Sequence, residues 1–143
     1  MTYKRPESVL VVIYTTGGQV LMLERAEPRG FWQSVTGSLR ENESAYDAAC
    51  RELAEETGLT GELIETGITN KFPIAPAWRA RYAPEVMENH ETVFALQLAS
   101  TCAVRLNPDE HVESAWLPRE QAAQRASSWT NRDAILALVP ETP

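Results

Sequence analysis

The chain has 143 residues, 43% of them apolar and 23% charged, the balance of one globular domain with one core rather than of a disordered or membrane-embedded chain. Thirteen lysines and arginines against 20 aspartates and glutamates leave a formal charge of −7. Such a charge repels nucleic-acid backbones and anionic membranes, and admits a phosphorylated small molecule only where divalent cations bridge the two negative partners.

The N-terminus has a basic touch, but the apolar run that follows, Val9 to Ile13, is too short for a signal-peptide core. No stretch approaches the ~20 apolar residues of a membrane span. Ser8 to Tyr14 is β-branched and reads as a strand buried on both faces. Thr15 to Gln19 carries a hairpin signal, and Val20 to Leu23 pairs back as the next strand. A charged loop, Glu24 to Gly30, leads into a short strand over Phe31 to Thr36. Ser44 to Thr57 reads as a helix, with Ser44 and Asp47 at capping-box spacing and Gly58 as its stop.

Glu62 to Ile68 is a further strand. Asn70 to Glu88 holds three prolines and three aromatics and reads as a long structured loop, the kind that usually carries function. Glu91 to Leu98 and Val112 to Leu117 are the remaining strands. Pro118 opens a helix through Arg125, and Asn131 caps a last helix, Arg132 to Val139, which Pro140 stops. This order predicts one α/β domain over residues 1–143, a mixed sheet covered by helices. Cys50 and Cys102 have neither disulfide-framework nor zinc spacing and read as small buried hydrophobes in a reducing, cytoplasmic setting.

The helix carries the chemistry. Glu52, Glu55 and Glu56 stand at i, i+3 and i+4 and project from one face within a turn. Carboxylates so clustered bind hard cations through oxygen; the bland alternative is a solvated acidic face. Ala45, Ala48 and Ala49 fall on the same arc, which predicts room there for metal and ligand. Tyr46, Cys50 and Leu53 lie on a neighbouring arc that can pack on the sheet.

Residues 37–59 read GSLRENESAYDAACRELAEETGL and match G-x5-E-x7-R-E-U-x-E-E-x-G-U, with U apolar, at every defined position. With each residue type at about 6% of positions, a chance match has odds below roughly one in a million. The segment resembles the Nudix box, and the resemblance implies a Nudix-type α/β/α sandwich and hydrolysis of a nucleoside diphosphate linked to another group. It implies Mg²⁺, or Mn²⁺, held by Glu52 and Glu56, with Glu55 as a ligand directly or through water. Glu43 and Arg51 would pair and hold the loop on the helix, and Gly37 and Gly58 would meet backbone requirements. The general base is left open between a box glutamate, Glu52 first, and one from elsewhere.

Further stretches resemble a branch of that family whose members release pyrophosphate from dihydroneopterin triphosphate: Tyr3 to Pro6, Val11 to Tyr14, Phe31 to Ser38, Arg81 to Pro84, Glu110 with His111, and Ser128 to Asn131. The partner implied is a small-molecule triphosphate, pterin or nucleotide, with dATP the first side substrate to test. Neither nucleic acid nor membrane is expected. House-cleaning hydrolysis of nucleoside triphosphates is the alternative; a pure binding module is disfavoured because all four box glutamates are present.

The resemblance places Lys4, Arg25, Thr36, Phe72, Pro73, Ile74, Ala75, His111 and Ser128 near the ligand. For Arg25 the bland reading is a surface ion pair, for Thr36 a strand-end hydrogen bond, and for Phe72 plain loop packing. Pro73, Ala75 and Pro76 depart from the bulkier loop of that branch. Arg79 and Arg81 suggest phosphate contact or a solvated loop face. The four tryptophans read as core or interface residues, with Trp129 at the pocket border. Three glutamates from one helix cannot enclose a cation, so a carboxylate from another element is expected, and Glu110 is the candidate ahead of Asp109 and Glu113.

Overall fold

The computed structural model describes residues 3–141. Seven strands form one sheet: β1 (Glu7–Thr15), β2 (Gln19–Arg25), β3 (Trp32–Gln33), β4 (Val35–Ser38), β5 (Ile64–Pro73), β6 (Glu88–Leu98) and β7 (His111–Pro118). Three α-helices cover it: α1 (Ala45–Thr57), α2 (Arg119–Arg125) and α3 (Trp129–Leu138). β1 is the hub. It runs parallel to β6 from Glu7↔His90 to Thr15↔Leu98, and antiparallel to β4 over Ser8 to Val11 and to β2 at Tyr14↔Val20. β2 also pairs with β3 and β7, and β5 with β6, all antiparallel. The sheet is mixed and lies between helices, the α/β/α arrangement expected.

Alternation along β1 divides the core. Val9, Val11 and Ile13 pack with Leu23, Phe94 and the α1 residues Ala48, Ala49 and Leu53. Leu10, Val12 and Tyr14 pack with Met22, Val93 and the α2 and α3 residues Ala122 and Ile135. Both faces of β1 are therefore dry, as its unbroken apolar run predicts.

Four expectations need correction. β5 continues through Pro73 and β6 starts at Glu88, so the long loop shrinks to residues 74–87, with a 3-10 helix at Pro76–Arg81. Polar alternation hid the paired ends of both strands. Ser128, not Asn131, caps the last helix: its Oγ accepts from the Asn131 amide at 3.2 Å. The buried Asn131 side chain instead accepts from Ser34 N at 2.7 Å and donates to Ser34 Oγ at 2.9 Å. Ala48 and Ala49 leave no room for a ligand; they are fully buried and let α1 lie close on the sheet. Cys102 is exposed, because it falls in the irregular segment between β6 and β7, while Cys50 is half-buried.

Candidate active site

At one end of the sheet β1, β6 and β7 begin while β2, β4 and β5 finish, and a cavity of about 970 Å³ opens there. α1 supplies its acidic side. Ser44 Oγ accepts from the Asp47 amide at 3.1 Å to start the helix, and Gly58, at φ 75°, ends it in the left-handed region. Between these stops Glu52 and Glu56 share the inward face with Ala48, Ala49 and Leu53, so both glutamates are drawn into the interior.

Glu56 is wholly buried, and neither carboxylate oxygen has a hydrogen-bond partner. Burial first, and the carboxylates of Glu52 and Glu110 next, push its proton affinity far above the ordinary carboxylate range. His111 Nδ1, also without a partner, stands 3.8 Å from Glu56 Oε1. The other ring nitrogen lies 3.0 Å from Gln33 Nε2. An amide nitrogen donates, so ring Nε2 accepts and the proton sits on Nδ1, facing Glu56. Burial, and then the Arg25 guanidinium, push the imidazole down to about 4, so it is neutral at pH 7. Candidate ligand atoms of Glu56, Glu110 and His111 lie within 4.8 Å of one another. Glu110 lies on an exposed turn; partial desolvation of its carboxyl, then Glu52 and Glu55, push its proton affinity up.

Glu52 lies beneath Gly37, where a Cβ would overlap its carboxylate. Any side chain at 37 therefore displaces Glu52. Arg51 bonds Glu43 through two nitrogens, each at 2.8 Å, and reaches Ser38 O at 3.1 Å. Its remaining nitrogen meets Glu52. Glu43 also accepts from the Arg40 amide at 2.9 Å. The Arg51 guanidinium thus ties the loop before α1 to the helix, and holds the Glu43 carboxyl down to about 2. Glu55 turns outward, 3.4 Å from both Arg40 and Arg51.

Cations border the same cavity. Lys4, Arg25 and Arg81 border the cavity. The Lys4 amide donates to Arg81 O at 2.9 Å, pinning the N-terminal segment to the 3-10 helix. Burial first, then repulsion from Arg81 and Arg25, pushes the Lys4 ammonium down. The Arg25 guanidinium lies 5.8 Å from the Phe31 ring centroid and 5.5 Å from that of Trp78. Arg79 bonds Pro84 O instead, at 3.3 Å.

Thr36 borders the cavity, but its hydroxyl donates to Val9 O at 2.8 Å within the sheet. Phe72, Pro73, Ile74 and Ala75 form the wall from the end of β5, and Ser128 the corner at the start of α3. Trp129 stands at the rim, half exposed. Sequence reading missed Trp78, Asn89 and Glu91, which also border the cavity. A signal existed for the last two. Asn89 and Glu91 share the β6 face that continues as Val93 and Ala95, and two polar residues opening a buried face are anomalous.

The sequence profile of the NUDIX domain matches residues 4–139. The chain is 43% identical to the dihydroneopterin triphosphate diphosphatase of Escherichia coli K12, across 96% of this chain and 94% of that protein. It is 36% identical to the Haemophilus influenzae protein of the same name, across 94% and 88%. The solved E. coli dihydroneopterin triphosphate pyrophosphohydrolase superposes with a TM-score of 0.90 at 42% identity, covering 97% of this chain and 98% of that one. A domain match over nearly the whole length, together with relatives this similar from end to end, means that the chain belongs to the NUDIX family.

Proposed function

We propose that this enzyme hydrolyses dihydroneopterin triphosphate to the monophosphate and pyrophosphate, using Mg²⁺. The observation that carries the reading is the gathering of carboxylates and cations around one cavity. Glu52 and Glu110 border it together with Lys4, Arg25 and Arg81, and the unpartnered Glu56 lies against Glu110 and His111. Three cations that repel one another call for an anion between them, and a buried carboxylate with two unpartnered oxygens calls for a cation.

The residues fit a hard divalent ion: the donors are carboxylate oxygens, and the missing Cβ of Gly37 is what gives Glu52 its place. Glu52, Glu56 and Glu110 would hold the ion, which when bound neutralises phosphate oxygens and activates water. Arg51, fixed by Glu43, orients Glu52. Neutral His111 fills the space behind Glu56 without adding charge. Lys4, Arg25 and Arg81 bind the phosphate chain. Glu110, the accessible carboxylate of the set and one whose proton affinity is raised, accepts the proton of the attacking water. Mn²⁺ satisfies the same oxygen donors.

The test is turnover. Purified protein with Mg²⁺ is given dihydroneopterin triphosphate and the common nucleoside triphosphates, dATP included, and kcat/KM and pyrophosphate release are compared. The pterin substrate is expected to lead. A nucleotide turned over better than the pterin would overturn the reading.

A further inference from the structure

We infer that Glu91 is the specificity-determining residue of the cavity and that it selects ligands with a 2-amino-4-oxopyrimidine ring. Such a ring presents an amide N–H beside an exocyclic amine, two parallel donors, the geometry that a carboxylate accepts with both oxygens. The inference deepens the substrate reading above and rests on it.

Glu91 borders the cavity yet is only 5% exposed. It lies at the start of β6, away from α1 and the acidic wall, opposite Asn70 on β5 and Ser8 on β1. Its neighbours are neutral: the Asn70 amide donates to Oε1 at 3.2 Å, with the Thr130 side chain as a second donor. Among the described residues neither lysine nor arginine pairs with it. An ionised carboxylate accepts about four hydrogen bonds, so these two donors leave roughly half of its capacity open toward the cavity. Burial pushes its proton affinity up, and the Asn70 and Thr130 bonds hold it down. A carboxylate placed so, without a counter-ion, costs stability unless a ligand completes its shell.

Asn89 makes the same point independently. It stands two residues earlier on the same face, is 4% exposed, and borders the same cavity. Its amide nitrogen donates to Ser8 Oγ at 2.7 Å, and its Oδ1 is buried without any partner. Both residues thus offer acceptor capacity where the protein supplies too few donors. That surplus matches a donor-rich ring edge. Phe72, paired with Asn89 across β5 and β6, flanks the same end of the cavity with an aromatic ring.

The experiment compares dGTP with dITP, which differ only in the 2-amino group, in wild type and Glu91→Gln. The amide keeps the volume and the Asn70 bond but turns one acceptor into a donor. Wild type is expected to favour dGTP about tenfold to a hundredfold in kcat/KM, the scale of a hydrogen bond to a charged group. In E91Q that ratio should fall to about one, carried by KM, with kcat nearly kept. A parallel readout without turnover is binding of neopterin, which carries the ring but no phosphate, to the metal-free protein; E91Q should weaken it by a similar factor.

An unchanged dGTP:dITP ratio in E91Q overturns the inference, and so does equal use of the two nucleotides by wild type, which decides the matter alone if E91Q does not fold. Poor turnover of dihydroneopterin triphosphate, with the dGTP preference present and abolished in E91Q, refutes the substrate reading and leaves the role of Glu91 standing.

Discussion

Glu56 pulls function and stability in opposite directions. Its folded-state proton affinity lies above that of the unfolded chain, because burial and the neighbouring Glu52 and Glu110 disfavour the ionised form. For an acid so shifted, the stability contribution is complete below the unfolded value, about 4.5, and is lost as pH rises. In chelator, Glu56→Gln should therefore melt higher than wild type at pH 8 and remove part of the decline between pH 5 and 8. With Mg²⁺ the same variant should lose roughly 10²–10⁴-fold in kcat, the scale of a lost acid–base or ligand group. Melting curves in chelator and steady-state rates check both halves, and a variant as active as wild type would remove Glu56 from the site.

The loop before α1 and the helix itself behave as one element because Arg51 bridges them. The Glu43 carboxyl is held down to about 2, first by the Arg51 bond. A depressed carboxylate contributes stability that is present above its unfolded value of about 4.5 and lost as pH falls toward 2. Glu43→Gln should then lower Tm at neutral pH and flatten acid denaturation across that window, while costing less activity than Glu52→Gln. If the melt is unchanged and activity collapses, Glu43 belongs with the ligands instead. On the other face of the sheet, Ser128 caps α3 and Asn131 fastens it to Ser34 next to β4. A capping hydroxyl is worth about 1 kcal/mol. Local chemistry points to Asn131 as the cap, and its buried partner Ser34, 97 residues away, draws that side chain elsewhere.

At the level of the whole molecule, the site is a convergence of six strand ends and two helices, so its charges are felt by the entire fold. Folded protein alone presents Glu52, Glu56 and Glu110 together, so Mg²⁺ should stabilise it by mass action, about 2.7 kcal/mol at a hundredfold excess over Kd, and raise Tm. Glu110→Gln should reduce that rise while leaving the melt in chelator nearly unchanged, because Glu110 sits on an exposed turn. A full Mg²⁺-dependent shift in the Glu110 variant would show that the ion is held without β7 and the turn before it. The expected coupling has a structural basis: Ala26 N donates to Glu110 O at 2.8 Å, so the turn is fixed to the end of β2 beside Arg25.

By itself the sequence determined the layers and the helix that carries the acids. β-branched runs, a hairpin glycine pair, a capping serine and Gly58 act within a few residues, and each of these signals is local. The spacing of Glu52, Glu55 and Glu56 is local too, since 3.6 residues per turn place them on one side. Which oxygens lose their water is not local. Glu56 is orphaned and Glu55 solvated because α1 turns Ala48 and Ala49 into the sheet, a rotation that helix periodicity alone does not set. Only the tertiary structure put His111 behind Glu56, Arg81 beside Lys4, and Glu91 and Asn89 on the border of the same cavity. His111 and Glu56, and Arg81 and Lys4, lie tens of residues apart, and the sheet brings the elements that carry them within reach, because a strand's identity and its register are set by which neighbour completes its hydrogen bonds and covers its apolar face.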